Sequence, residues 1–150
     1  MNWDWRIAGD GPQLEALRQA VSIKRLDDRI HFLGWLNAEA LRREYQTASL
    51  FIFPSRHEGM PNAVLEAMAS GLPVIATRIA GNEELVLHEE TGLLVPPEDV
   101  AALRASLRDL IGNATERRRM GEAAHRRAQM DYGWKNTADR TLTILQGAAR

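Results

Sequence analysis

The chain has 150 residues, of which 45% are hydrophobic and 26% are charged, and its formal net charge is −1. This composition predicts a soluble globular domain, and the near-neutral charge argues against a nucleic-acid-binding protein, which usually carries a basic face. The absence of cysteine excludes disulfides and thiolate metal sites.

Short apolar runs alternate with helical patterns as far as Pro97. The runs are too short for helices and most are bounded by Gly, Pro or Ser, so we interpret them as strands. The predicted strands are Trp5–Ala8, Ile30–Leu33, Leu50–Phe53, Pro73–Thr77 and Leu93–Val95. The predicted helices between them are Pro12–Ile23, Ala38–Ala48, Asn62–Ser70 and Asn82–Leu87. This alternation predicts an α/β fold with a Rossmann-like parallel sheet and helices on both of its faces.

Three helical segments follow Pro97, and we expect them to pack on the sheet within one domain of residues 1–150. They are Glu98–Ile111, Thr115–Met130 and Asn136–Ala149. Val100, Leu103, Leu107 and Leu110–Ile111 form an apolar stripe on the first of them. The second carries five arginines that we interpret as a solvated face, with contact to an acidic partner or a membrane surface as the alternative. They are Arg117, Arg118, Arg119, Arg126 and Arg127.

The loop that opens the helix at Asn62 is the most informative part of the sequence. The leading N–H groups of a helix lack intrahelical partners and its dipole favours negative charge, so the tip predicts an anion site. Pro61 suits the first turn, where its missing N–H costs nothing, and Gly59 allows a ligand to approach without a Cβ in the way. A plain strand–loop–helix turn without a ligand is the alternative.

Two carboxylates flank this helix start. Glu66 lies one turn after Asn62, so both side chains can face one side, and its carboxylate can accept hydrogen bonds from the vicinal hydroxyls of a ribose. Glu58 precedes the helix and can orient a donated sugar or stabilise positive charge at its anomeric carbon. The alternative for Glu66 is a solvated helix face.

Several motifs in order carry a resemblance to a known family. The stretch E-G-M-P-N-A-V-L-E at 58–66 matches the paired-glutamate motif of the retaining nucleotide-sugar glycosyltransferases of family four. I-A-G-D-G-P at 7–12, I-H-F-L-G-W at 30–35, G-L-P-V-I-A-T-R-I-A-G-N-E-E-L-V at 71–86 and T-G-L-L-V-P-P at 91–97 follow the family order. The chain therefore resembles the C-terminal, donor-binding half of a GT-B fold.

The resemblance implies specific roles. Glu58 would be the catalytic group at the donor sugar, Glu66 would bind the ribose, and the backbone amides of Asn62 and Ala63 would face the diphosphate. The remaining donor-binding candidates are Gly9, Gly34, Trp35, Leu36, Gly59, Met60 and Pro61. The implied reaction transfers a sugar with retention from a nucleotide diphosphate sugar, which is the donor substrate, without a metal or other cofactor.

The departures from the family pattern set expectations about partners. Family members carry an Arg and a Lys near the start of this domain, nothing before Trp5 supplies them, and Arg6 lies inside a predicted strand. We therefore expect the first βα unit and the N-terminal acceptor domain to be absent, and the fragment alone to bind nucleotide weakly and to transfer little. The expected partners are the nucleotide sugar and a missing N-terminal domain or complementary subunit, without nucleic acid. The expected location is the cytoplasm, with peripheral contact to the inner membrane in the full enzyme as an unsupported option.

Other functions stay open. A sugar-nucleotide epimerase or a phosphorylase shares the GT-B fold, and a non-enzymatic fragment that binds a nucleotide or a protein partner is the other alternative. Binding of NAD is disfavoured because Leu14 stands where the third glycine of a dinucleotide fingerprint belongs. The nucleotide base, the sugar, the acceptor and the oligomeric state do not follow from the sequence.

Overall fold

The computed structural model describes residues 3–148, which divide after Thr47 into two compact units. Unit 1, residues 3–47, contains β1 (Trp5–Ala8), α1 (Leu14–Ile23), β2 (Ile30–Gly34) and α2 (Ala38–Thr47). Unit 2, residues 48–148, contains β3 (Phe51–Phe53), α3 (Asn62–Ala69), β4 (Val74–Thr77), α4 (Ala80–Leu85), β5 (Gly92–Val95), α5 (Val100–Gly112), α6 (Ala114–Tyr132) and α7 (Trp134–Ala148). Every predicted element is present within one or two residues of its expected bounds, and the predicted helix end at Ala149 lies outside the described residues.

All of the paired strands are parallel, which confirms the predicted α/β class. Strand β1 pairs with β2 in a two-stranded sheet of unit 1, whereas unit 2 holds a three-stranded sheet in the order β3-β4-β5. All four residues of β4 are buried. A central strand covered on both faces has this continuous apolar character, which explains why Val74–Thr77 shows no polar alternation.

The core of unit 2 forms where α5 and α6 cover the sheet. Ile75, Val95, Leu110 and Met120 are buried there, and Leu103 and Leu107 pack against them as the helical stripe predicts. Burial of each large aliphatic side chain contributes about 1.5–3 kcal/mol. Val100 is a correction, because it is 76% exposed. It is the first residue of α5, directly after the N-cap Asp99, and lies one turn before the part of the helix that meets the core.

Helix α3 ends at a glycine, as its sequence predicts. Gly71 has a φ of +79°, which L side chains rarely adopt. Its amide donates to the Met68 carbonyl at 2.9 Å, and the Leu72 amide donates to the Ala67 carbonyl at 3.0 Å. These are the two hydrogen bonds of a Schellman cap, and they turn the chain from α3 into β4.

The arginines of α6 are not simply a solvated face. That interpretation is wrong for Arg117 and Arg127, which are half-buried, whereas Arg119 is exposed and also bonds the main chain. Arg117 donates to the Leu110 carbonyl and, at 2.9 Å, to the Ile111 carbonyl at the end of α5. Arg119 donates to the Glu89 carbonyl at 2.6 Å. It also hydrogen-bonds the Glu116 carboxylate, which lowers the pKa of that carboxyl. Sequence periodicity alone does not show these main-chain acceptors.

Arg127 holds the end of α4. Its Nε donates to the Leu85 carbonyl at 2.9 Å and its Nη2 donates to the Glu84 carbonyl at 3.0 Å. The Tyr132 hydroxyl donates to the same Glu84 carbonyl at 2.8 Å. The last carbonyls of a helix have no intrahelical partner, so two side chains of α6 supply the donors that α4 lacks. Within the described residues, no helix has the length and apolar character needed to cross a membrane.

We expect Arg127→Met to lower the free energy of unfolding by about 1.5–3 kcal/mol, since two carbonyls lose a charged donor while the methylene stem is kept. Urea unfolding followed by circular dichroism measures the change. Arg126→Met is the matched control, because Arg126 is the exposed neighbour on the same helix. Equal stability of the two variants would contradict the capping role.

Candidate functional site

The loop at residues 54–61 leaves the carboxyl end of β3 and leads into α3, at the edge where parallel α/β sheets bind ligands. Pro61 is buried and forms the N-cap of α3, one position earlier than the first-turn place expected for it. The Val64 and Leu65 amides donate to the Pro61 carbonyl at 3.0 and 3.3 Å. The helix therefore starts at Asn62, as its sequence predicts.

Helix α3 has a buried face and an exposed face. Val64, Ala67 and Met68 are buried, whereas Asn62 and Glu66 are exposed. Because residues four positions apart are neighbours on a helix surface, the two exposed polar side chains share one side. This pattern agrees with a ligand-facing pair and equally with a solvated face, so the role of Glu66 stays a prediction.

Glu58 is half-buried and its carboxylate is hydrogen-bonded within the loop. The Ser55 hydroxyl lies 2.8 Å from Glu58 Oε1 and 3.2 Å from the His57 carbonyl oxygen. Gly59 and Met60 follow as exposed residues, and a Cβ added at Gly59 would meet no atom within 4 Å. The loop therefore presents an open backbone beside an anchored carboxylate.

Gly81 of α4 supports this loop by direct main-chain contact. A Cβ built on Gly81 would lie 2.3 Å from the Gly59 carbonyl oxygen and 2.8 Å from the Glu58 carbonyl oxygen. Real Cβ atoms essentially never come so close to backbone atoms, so any side chain at this position would displace the loop. The main chain of the loop at Glu58 and Gly59 therefore packs directly against α4.

The candidate residues of unit 1 lie at the ends of its two strands. The Gly9 amide donates to the Gly34 carbonyl at 2.7 Å, and the two residues have φ values of +117° and +66°. Trp35 is 73% exposed in the turn that follows, and Leu36 is half-buried. Arg6 pairs with the Glu44 carboxylate at 2.8 Å, so its charge is already engaged within unit 1.

Two open clefts lie on unit 2 away from the β3–α3 loop. One, of about 440 Å³, is lined by Ser70, Gly71, Arg118, Glu122, His125 and Arg126. The other, of about 380 Å³, lies beside Leu93, Asp109, Leu110 and Asn113. Neither is lined by Glu58 or Glu66. Among residues 3–148, no three His, Asp or Glu side chains come together in a way that suits a metal ion.

Sequence reasoning missed the groups that hold the loop, namely Ser55, Thr77, Gly81 and Asn82. Gly81 gave no signal, because the predicted helix began at Asn82 and left this glycine in the preceding turn. Ser55, Thr77 and Asn82 gave none either, since small polar residues near strand ends and turns are common.

The carboxyl-end loop that opens a helix beside a parallel sheet is the arrangement of ligand-binding α/β proteins. Residues 1–113 match the family model described as Glycosyl transferases group 1. The chain therefore belongs to the glycosyl transferases group 1 family, and the predicted resemblance to the C-terminal half of GT-B glycosyltransferases is confirmed.

Three similar proteins illustrate the match. The exopolysaccharide phosphotransferase SCO2592 of Streptomyces coelicolor is 41% identical over 82% of this chain and 13% of its own length. The GDP-mannose-dependent alpha-(1-6)-phosphatidylinositol monomannoside mannosyltransferase of Mycolicibacterium smegmatis is 32% identical over 94% of this chain and 39% of its own length. The solved C-terminal domain of a glycosyl transferase group 1 family protein, LpcC of Francisella tularensis, is 27% identical with a TM-score of 0.76, covering 83% of this chain and 66% of that one. The chain thus spans well under half the length of these two curated relatives.

We expect Gly81→Ala to destabilise unit 2 by about 1–3 kcal/mol, because the added methyl overlaps the main chain of the loop. Amide chemical shifts should move at Glu58 and Gly59 in particular. Thermal unfolding and a two-dimensional ¹H–¹⁵N NMR spectrum measure both effects. Gly11→Ala is the control, since a Cβ at Gly11 meets nothing within 4 Å. An unchanged loop spectrum in Gly81→Ala would refute the contact.

Proposed function

We propose that this chain is the donor-binding part of a retaining glycosyltransferase that takes a sugar from a nucleotide diphosphate sugar. The observation that carries the proposal is the loop after β3, which presents the half-buried Glu58 next to a helix start that exposes Asn62 and Glu66. Membership of the group 1 family supports the transferase class. The GDP-mannose dependence of the mycobacterial relative supports the donor class.

The diphosphate is assigned to the start of α3. Asn62 and Ala63 are the first two residues of the helix, and at this end the helix dipole favours an anion. Glu66 accepts hydrogen bonds from the ribose hydroxyls on the exposed face of the same helix. Gly59, Met60 and Pro61 form the part of the loop next to the helix start, and the open space at Gly59 allows close approach of the ligand.

The donor sugar is assigned to Glu58. As the bond between sugar and phosphate stretches, positive charge develops at the anomeric carbon, and a nearby carboxylate stabilises it. The start of α3 stabilises the departing diphosphate at the same time. An acceptor hydroxyl that attacks from the face of the leaving group gives retention of configuration.

For unit 1 taken by itself, the turn after β2 is proposed as a surface that contacts a nucleotide base. Gly34, Trp35 and Leu36 follow β2, and Gly9 is hydrogen-bonded to the same turn. Trp35 offers an exposed aromatic ring and the turn offers main-chain groups, which together suit the contact with a base. The base itself is not specified by these residues.

The complete reaction is proposed for a longer protein or complex. The chain spans 39% of the mannosyltransferase relative. We assign the acceptor domain, and the βα unit that carries the phosphate-binding Arg and Lys, to the longer protein or complex. Arg6 is paired with Glu44 and does not replace those cations. The isolated chain should therefore bind nucleotides weakly and transfer little, which leaves a non-enzymatic nucleotide-binding fragment as the second candidate.

The direct test is binding and turnover by the purified chain. Saturation-transfer NMR with UDP, GDP, ADP and their sugars identifies the donor, and release of labelled sugar from the bound donor measures transfer or hydrolysis. Binding with turnover supports an enzyme, and binding without turnover supports the fragment. Binding of no member of the panel would contradict the proposed function.

We expect Glu66→Ala to abolish saturable binding of the nucleoside diphosphate. Loss of a charged acceptor for two hydroxyls costs about 1.5–3 kcal/mol, which is more than tenfold in affinity for a weak ligand. An NMR titration measures the dissociation constant. Glu122→Ala removes an exposed carboxylate from α6 and should leave the constant unchanged. An unaltered affinity in Glu66→Ala would overturn the ribose assignment.

We expect nucleotide binding to be insensitive to EDTA, because helix amides and the helix dipole are assigned to the diphosphate. The same titration is carried out with EDTA and again with added MgCl₂. Equal dissociation constants in the two conditions are expected. A strict requirement for Mg²⁺ would show that the diphosphate is bound through a metal ion.

A further inference from the structure

A chain of side-chain hydrogen bonds connects the centre of the unit 2 sheet to Glu58. The Asn82 Nδ2 group donates to the Thr77 carbonyl at 2.8 Å. The Thr77 hydroxyl donates to the Ser55 carbonyl, which is 22 positions away in the sequence. The Ser55 hydroxyl then donates to Glu58 Oε1 at 2.8 Å. The first two steps join different segments of unit 2, and the third lies within the β3–α3 loop.

The donors in this chain fix its direction. A hydroxyl has one proton to donate, so Ser55 can serve fully only one of its two nearby acceptors. The carboxylate of Glu58 is nearer than the His57 carbonyl and is charged, and a hydrogen bond to a charged acceptor is the stronger one. The Ser55 hydroxyl therefore donates its hydrogen bond to Glu58. Asn82 Nδ2 also lies 3.4 Å from the Thr77 hydroxyl oxygen, which can accept from it.

Thr77 and Asn82, which form the interior end of this hydrogen-bond series, are both buried. Thr77 is 5% exposed and Asn82 is fully buried. Asn82 Oδ1 has no hydrogen-bond partner among the described residues. Rotation of the amide by half a turn would place that oxygen against the Thr77 carbonyl oxygen, so the amide is held in one orientation. Because Asn82 and Thr77 are held in this way, the hydrogen bond from Thr77 fixes the position of the Ser55 main chain.

We propose that Ser55 is a positioning residue that orients the Glu58 carboxylate toward the donor sugar, with Thr77 and Asn82 as its support. The inference rests on the proposed function, in which Glu58 contacts the sugar and Glu66 contacts the nucleotide. Loss of the Ser55 hydroxyl frees the carboxylate to rotate but leaves the start of α3 intact. The effect should therefore appear in recognition of the sugar and not in recognition of the nucleoside diphosphate.

The test compares matched ligand pairs on the 150-residue chain, UDP with UDP-glucose, GDP with GDP-mannose and ADP with ADP-glucose. For the pair that binds, the ratio of the two dissociation constants isolates the contribution of the sugar. We expect Ser55→Ala to lose about tenfold in affinity for the sugar-bearing ligand and to bind the diphosphate as before. Glu58→Gln serves as the reference, because it removes the charged carboxylate that is proposed to contact the sugar.

A second pair of variants tests the same inference if Ser55→Ala does not fold. Thr77→Val removes the hydroxyl at nearly constant shape, whereas Thr77→Ser keeps it. We expect the valine variant to show the same selective loss of sugar affinity and the serine variant to regain it. This rescue depends on the hydroxyl and not on the volume of the side chain.

The outcomes separate the inference from the proposed function. A loss that affects diphosphate and sugar ligands equally indicates a merely structural role and overturns the inference. So does an unchanged ratio in Ser55→Ala and Thr77→Val while Glu58→Gln reduces it, and the proposed function then stands. If the wild-type chain binds no member of any pair, the proposed function fails and the inference fails with it.

Discussion

The position of Glu58 depends on a contact between main-chain atoms. Helix α4 comes so close to the β3–α3 loop at Gly81 that the loop cannot settle further inward. The Thr77 hydroxyl donates to the Ser55 carbonyl and connects the loop to the end of β4, and the Ser55 hydroxyl donates to the Glu58 carboxylate within the loop. A carboxylate on a surface loop is ordinarily mobile, and here its backbone is held between a helix and the end of the central strand.

This constraint extends beyond the loop, because α4 is short and does not satisfy its own carbonyls. Arg127 and Tyr132 of α6 donate to the Glu84 and Leu85 carbonyls that end α4. Helix α6 in turn packs on α3, whose first turn is assigned to the diphosphate. The proposed catalytic loop and the proposed anion site are thus both connected to α6, the loop through α4 and the anion site through α3.

The order of the elements followed from local pattern. Apolar runs of three to five residues alternate with helical stretches, and Gly71 marks the end of α3 by the backbone angle that only glycine adopts easily. The helix start at Asn62 and the exposure of Glu66 were also predictable, because both are set by neighbours within one turn. Local rules therefore placed the two assigned carboxylates on their elements.

The supporting contacts did not follow from the sequence, because they join residues that are far apart along the chain. Thr77 meets Ser55 across 22 positions and Arg127 meets Leu85 across 42. The acceptors are main-chain carbonyls, which every residue carries, so no residue type at 55 or 85 signals the partner. The same limitation made the arginines of α6 look like a solvated face.

The contact at Gly81 has a consequence for how such a domain can diversify. Because it touches only carbonyl groups of the loop, it places no demand on the side chains that the loop carries. Arg56, His57 and Met60 are exposed and take no part in it. Under the proposed function, substitution at these positions changes the loop surface beside the donor sugar and leaves the main-chain contact beneath it in place.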